Sequence, residues 1–252
     1  MDFNDPKFKE IFFAIHSDMP REGPGNEASL LRALSFMKEL AQDPCILDIG
    51  CGPGTQTVDL AQHTRGVVLG LDNHAPFIQD LDQKIAAHNL GHRMLALVGD
   101  MTNLPFRDRS FDCIWSEGAA YLMGFENALK NWKSLIKPGG YLTVTEAVWL
   151  KTGAPEPVRK LWEEYPDLKD IEANVEIIKS CGYKLVEHFT LPVEAWWENY
   201  YTPQEERHKV LRSKYAGDPE ALKIIEVSQM EIDIYRDYSD YYGYEFFICR
   251  VQ

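Results

Sequence analysis

Gly50, Gly52 and Gly54 fall on alternate positions in the run Gly50-Cys51-Gly52-Pro53-Gly54, directly after the apolar stretch Ile46-Leu47-Asp48-Ile49. A helix-like segment follows, and then a second apolar run, Val67 to Leu71, that ends in Asp72. The pattern reads as strand, tight turn, helix, strand and acidic tip, which is one half of a nucleotide-binding α/β unit. Gly50 permits a sharp exit from the strand. Gly52 has no Cβ, so a ligand can lie against the backbone, and Gly54 lets the helix pack close to the strand. Asp72 stands across the crevice, placed to accept hydrogen bonds from two ribose hydroxyls. A dinucleotide site requires G-x-G-x-x-G, whose helix start holds a pyrophosphate. This chain has G-x-G-x-G with Asp48 two positions before the first glycine, which turns the reading away from dinucleotides.

Three further motifs follow in order. The run Met94 to Val98 leads into Gly99-Asp100-Met101 and then Thr102-Asn103-Leu104-Pro105-Phe106. Ser110-Phe111-Asp112-Cys113-Ile114-Trp115 comes next, and Leu135-Ile136-Lys137-Pro138-Gly139-Gly140 leads into Tyr141-Leu142-Thr143-Val144. Together with the glycine turn, this set resembles the class I S-adenosylmethionine-dependent methyltransferases. The closest likeness in motifs is to the small-molecule enzymes of the ubiquinone/menaquinone-biosynthesis type, and it covers roughly residues 40 to 150.

The resemblance implies S-adenosylmethionine as cofactor. It places Asp48 near the ammonium of the cofactor's amino-acid tail, Gly50, Cys51, Gly52 and Gly54 along it, and Asp72 and Asn73 at the ribose. Asp100 would read the adenine amino group, Met101 would pack on the ring, and Ser116 would join the same set. It also implies that the loop after the fourth strand, Ser116-Glu117-Gly118-Ala119-Ala120-Tyr121, faces the transferring methyl, which makes Glu117 and Tyr121 the candidates to orient or deprotonate a nucleophile. The same loop lacks the Asn/Asp-Pro-Pro-Tyr platform of amino-methylating DNA enzymes and the Pro-Cys of cytosine C5 enzymes.

These groups need a frame. Strand-like runs near 45–49, 67–72, 94–98, 111–116 and 140–148 alternate with helical segments, which predicts a parallel sheet with helices on both faces. Tyr183 to Leu191 and Tyr244 to Val251 read as strands six and seven. The expected fold is therefore a Rossmann-like α/β domain, a mostly parallel seven-stranded sheet whose last strand is antiparallel. The chain reads as a single domain: N-terminal helices and a lid loop over 1–42, a cofactor-binding core over 43–150, and a helical insertion over 193–243 that caps the acceptor.

A first helix is expected at about 6 to 15 and a second at about 27 to 42, with Leu30, Leu34, Met37 and Ala41 on one face. Thr202-Pro203-Gln204-Glu205 reads as a capping box, and Asp218-Pro219 as the start of a longer helix to about Tyr241. On that helix Val227, Met230, Ile234, Tyr238 and Tyr241 form the stripe expected to dock. Gly23, Pro24 and Gly25 make a hinge-like loop in which Arg21 is placed to meet a carboxylate, that of the cofactor or of an acceptor. Trp196, Trp197, Tyr200 and Tyr201 directly follow strand six, and aromatic faces bind cations. Arg21, Trp149, Trp196, Tyr200 and Tyr201 are the acceptor-side candidates.

Composition sets the boundaries. With 26 Lys and Arg against 39 Asp and Glu, the net charge of −13 disfavours nucleic acid and anionic membrane surfaces as partners. A small molecule is the expected substrate, an amine or a phenol or enol. A non-catalytic cofactor sensor and a protein-methylating enzyme are the alternatives. Five scattered cysteines fit reduced thiols and a cytoplasmic setting. His88 and His92 read as a helix end, so no metal site is expected. Oligomeric state is not legible.

Overall fold

In the computed structural model, which describes residues 5–252, the central strand β1 (Cys45–Ile49) buries Ile46, Leu47, Asp48 and Ile49. A strand covered on both faces reads as a continuous apolar run, as this one does. It pairs in parallel with β2 (Val67–Asp72) and β4 (Phe111–Ser116). Outside these lie β3 (Met94–Val98) and β5 (Ile136–Trp149), also parallel. A two-residue strand β6 (Lys169–Asp170) touches the end of β5. β7 (Tyr183–Thr190) forms the far edge, and β8 (Tyr242–Val251) inserts between β5 and β7, antiparallel to both. The sheet order is β3-β2-β1-β4-β5-β8-β7. The Rossmann-like sheet with an antiparallel last strand is thus as expected, with β6 as an unforeseen addition.

Helices cover both faces. α1 (Pro6–His16) and α2 (Glu27–Phe36) precede the sheet; α3 (Thr55–His63), α4 (Ala75–Ala87), α5 (Phe125–Trp132), α6 (Glu156–Leu161) and α7 (Ile171–Ser180) lie between strands. Adjacent residues on a strand face opposite ways, so Ile46, Val68, Trp115 and Phe246 build one core layer and Leu47, Ile114, Leu142 and Phe247 the other.

Between β7 and β8 the insertion holds α8 (Glu194–Trp196), α9 (Thr202–Lys214) and α10 (Pro219–Tyr238). Asp218 caps α10 as read from sequence, accepting from the Ala221 N–H at 3.0 Å. The capping box at Thr202 is not formed. Thr202 is itself helical, and a wide π-helical turn over Trp197–Tyr201 joins α8 to α9 without a break. The buried face of α10 also differs. It carries Ala221, Ile225, Ile232 and Tyr235, while Met230 from the expected stripe is exposed. α2 stops at Phe36 rather than near 42, because residues 37–40 turn to meet the start of β5 and the end of β8. There the Glu39 N–H takes the Tyr141 hydroxyl and the Glu39 carboxylate grips Arg250; Ala41 is left exposed.

The N-terminal segment and the insertion, read separately from sequence, form one cap. Ile11 and Ile15 of α1 pack with Leu211 of α9 and Ala221 and Ile225 of α10. Arg207 donates to the Ala14 carbonyl and Lys7 pairs with Asp218. The cap lies over the carboxyl ends of β1, β2 and β4, where ligands of open α/β sheets bind.

Candidate functional site

The glycine turn is stitched to β2, with the N–H groups of Gly50 and Cys51 both donating to the Leu71 carbonyl at 2.8 and 3.0 Å. Gly54 begins α3 with φ of 85°, and a Cβ there would lie 2.4 Å from Leu81 Cδ1, so only glycine lets α4 approach this closely. Gly52 is also left-handed, and its open side faces Glu22 of the N-terminal loop. Asp72, at the tip of β2, accepts from Gly52 N–H through one oxygen and from His74 N–H through the other, each at 2.9 Å. Each oxygen keeps a lone pair for a further donor.

A single cavity of about 880 Å³ runs from this turn to the cap. Arg21, Gly50, Cys51, Gly52, Asp72, Asn73, Met101, Glu117, Tyr121, Trp196, Tyr200 and Tyr201 all border it, as the sequence suggested. Five candidates do not. Asp48 is fully buried beneath the turn, where Thr57 Oγ1 donates to it at 2.6 Å; it anchors the start of α3 and does not face a ligand. Burial pushes its carboxyl up to about 7, against the pull of the Thr57 hydrogen bond. Gly54 is turned toward Leu81. The Asp100 carboxylate folds back onto the N–H and hydroxyl of Thr102, which hold its pKa below the usual range. Ser116 is fully buried and donates to the Ile49 carbonyl at 2.9 Å, joining β4 to β1. Trp149 packs into the aromatic cluster behind the wall.

Glu117 has both oxygens engaged. Arg21 Nη2 lies 2.5 Å from Oε2, and Trp115 Nε1 donates to Oε1 at 2.8 Å, with the two charged side chains almost wholly buried. The carboxylate that Arg21 meets is therefore this one, from the loop after β4. The same N-terminal loop is fastened at four other points. Thr55 donates to the Pro20 carbonyl, His16 pairs with Glu22 at 2.6 Å, Gly25 N–H donates to Ala195, and Asn26 donates to Glu198. Phe13 of α1 stacks on His74 with ring centres 4.4 Å apart and planes 4° from parallel, so α1 closes the wall beside Asp72.

Toward the cap the wall is aromatic. Trp162, Tyr165, Tyr242 and Tyr244, none of them marked from sequence, join Trp196 and Tyr200. The rings meet at steep angles: Trp162 and Tyr242 at 73°, Trp196 and Tyr244 at 65°. Trp196 belongs to wall and core at once, stacked on Tyr235 at 4.1 Å. Three acids stand here, the first of them Glu164, on the cavity wall beside Trp162 and Tyr165. Glu146 on β5, buried behind the wall, accepts from the Tyr165 hydroxyl at 2.8 Å; burial raises its carboxyl to about 7. Glu231 on α10 borders the cavity and accepts from the Tyr201 hydroxyl at 3.1 Å, and burial raises its pKa too. Glu231 carried no sequence signal, since its neighbours on α10 set which face turns inward.

Residues 46–140 match the family model described as a methyltransferase domain. Over these residues the chain carries a methyltransferase domain similar to those of the class I S-adenosylmethionine-dependent enzymes. A demethylmenaquinone methyltransferase of Lactobacillus johnsonii is 32% identical to this chain over 154 residues, which are 57% of this chain and 59% of that one. The chain spans about half the length of the curated relatives it matches. Among solved structures, a methyltransferase from Thiobacillus denitrificans in complex with S-adenosyl-L-homocysteine superposes with a TM-score of 0.83 at 19% identity, covering 96% of this chain and 98% of that one. The [4+2]-cyclase SpnF shares the fold at a TM-score of 0.74 and 17% identity, over 97% and 92%.

The residues that line this cavity have the chemistry to hold S-adenosylmethionine, the methyl donor of such domains. The turn at Gly50 and Gly52 opens onto the cavity, the Asp72 carboxylate borders it with spare lone pairs, and Met101 offers an apolar surface held by Trp132 Nε1 on its carbonyl. Among the described residues no helix is long and apolar enough to cross a membrane.

Proposed function

We propose that this protein transfers a methyl group from S-adenosylmethionine to a small-molecule acceptor held in the aromatic end of the cavity. Since the fold also serves a cyclase, the fold alone does not carry this reading. The observation that carries it is the continuity of one cavity from the glycine turn and Asp72 to a walled chamber under the cap. Gly50, Cys51 and Gly52 would line the donor, Asp72 and Asn73 would take its ribose, and Met101 would pack on its base. Bound there, S-adenosylmethionine supplies an electrophilic methyl on a sulfonium.

The chain supplies position and dryness. Arg21 and Glu117 pin the N-terminal loop across the cavity, and α1 with α9 and α10 walls the chamber on the cap side. Glu117 serves as that pin. Both its oxygens are occupied, so the acceptor's proton is better assigned to a group on the chamber side. Tyr121, half-exposed beside Tyr165 at 5.8 Å, stands at the rim. The walled, concave chamber suits a small molecule better than a protein chain.

Titration calorimetry with S-adenosylhomocysteine tests the donor site. Asp72→Ala removes a charged acceptor that also ties down Gly52, and is expected to cost about 2–4 kcal/mol of binding. Unchanged affinity, or tighter binding of NAD, would overturn the assignment. Release of S-adenosylhomocysteine across a panel of amines, thiols, carboxylates and phenols then reads the acceptor class.

A further inference from the structure

Glu231 is a carboxylate on the wall of the chamber's aromatic end, which Glu164 also borders. It projects from α10 into the cavity, and among the described residues its one hydrogen-bond partner is Tyr201. No described Lys, Arg or His lies within ion-pairing distance of it. The cations that border the cavity are committed elsewhere: Arg21 to Glu117 and His16 to Glu22. His74 is packed between the rings of Phe13 and Phe77, and no lysine lines the wall.

Tyrosines share the acid's chamber. Tyr201 donates to it, and Tyr121, Tyr200 and Tyr242 line the same cavity. The indoles of Trp162 and Trp196 close the same space. Because these rings meet edge to face, they form corners and present π-faces in several directions. A desolvated carboxylate among aromatic faces, with His16 acting on it only from a distance, is costly when the chamber holds only neutral groups, and is offset by a cation. A phenolate or enolate would meet the opposite field, with no free positive group to receive it.

We propose that Glu231 and the rings around it form a recognition site for the ammonium group of an amine acceptor. The inference rests on the methyl-transfer reading only for the word acceptor; the ammonium site itself stands on the chamber. Its ligand class is an organic amine, protonated on arrival and bearing alkyl carbons that the rings can cover.

The test is calorimetric titration of the full chain, saturated with S-adenosylhomocysteine, with choline and with its neutral carbon isostere 3,3-dimethylbutan-1-ol. Choline is expected to bind at least tenfold more tightly. Glu231→Gln, which keeps a hydrogen-bond acceptor for Tyr201, is expected to weaken choline at least tenfold and leave S-adenosylhomocysteine within twofold. The comparison of the two probes on the unaltered chain needs no variant, so a poorly folded Glu231→Gln protein does not spoil it. Equal affinity for the two probes, no binding of either, or an unaffected Glu231→Gln protein overturns the proposal. If S-adenosylhomocysteine binds while choline shows no preference, the ammonium site falls and the methyl-transfer reading stands. If S-adenosylhomocysteine does not bind, that reading falls, and the same two probes on the unliganded chain still decide the ammonium site.

Discussion

The Arg21–Glu117 pair is the residue-scale feature that most changes the reading of the site. Glu117 stands where a proton-handling group was expected, and the structure gives it two partners and almost no exposure. Removing one member of a buried ion pair strands the other, at a typical cost of about 3–5 kcal/mol, whereas replacing both with apolar or neutral groups is often near neutral. Glu117→Gln is therefore expected to lower stability by about that amount in urea denaturation, and Arg21→Met combined with Glu117→Gln to recover most of it. A Glu117→Gln protein of native stability that has lost only turnover would instead make Glu117 a proton carrier. Sequence located this loop but not the direction of its side chains. That Gly50, Gly52, Asp72 and Met101 border the cavity was legible because turn and strand-tip geometry dictates where they point. That Asp48, Ser116 and Asp100 do not border it was not legible, because each spends its polar atoms on a local backbone or hydroxyl partner, a choice decided by packing.

At the scale of elements, the cap depends on a loop pinned from several sides, and it must release for ligands to enter. Arg21 is only 4% exposed, so trypsin reaches it only when the loop between α1 and α2 opens. Saturating S-adenosylhomocysteine is expected to slow cleavage at Arg21 severalfold, read by mass spectrometry of the fragments; a rate indifferent to ligand would mean that opening does not involve the donor site. The strands of the core were legible to within a few residues, since buried apolar runs bounded by turns leave little choice. The cap was legible only in outline. Thr202-Pro203-Gln204-Glu205 has the residues of a helix start, yet the wide turn over Trp197–Tyr201 carries the helix through it, because Trp196, Tyr200 and Tyr201 gain more by packing on α10 and the sheet. The stripe on α10 was misplaced for a related reason: that helix meets α1, α9 and the sheet end, so no single face follows a simple period.

For the whole molecule, buried acids set the response to pH. Burial raises Asp48 and Glu146 to about 7 and Asp59 to about 6. A carboxyl whose folded pKa lies above its unfolded one binds its proton more tightly when folded. The stability this gives is full below about pH 4 and is lost as pH rises through 6 to 7. His208, held neutral by burial with its pKa lowered, acts the other way but is one group against four, since burial raises Glu231 as well. The net charge of −13 adds repulsion at the alkaline end. The ligand-free protein is thus expected to melt at a higher temperature at pH 6 than at pH 8 at constant ionic strength, and Glu146→Gln to flatten the difference. A melting temperature that rises from pH 6 to pH 8 would contradict this. The strand order has a consequence in time. β7 has no neighbour in the sheet except β8, and β8 is made last of the two. On a ribosome, β7 with its unpaired backbone must wait while residues 191–241 are added, although the sheet from β3 to β5 already has all its strands. Any chaperone that attends this chain during synthesis has its longest task there, holding one orphan strand until its partner emerges.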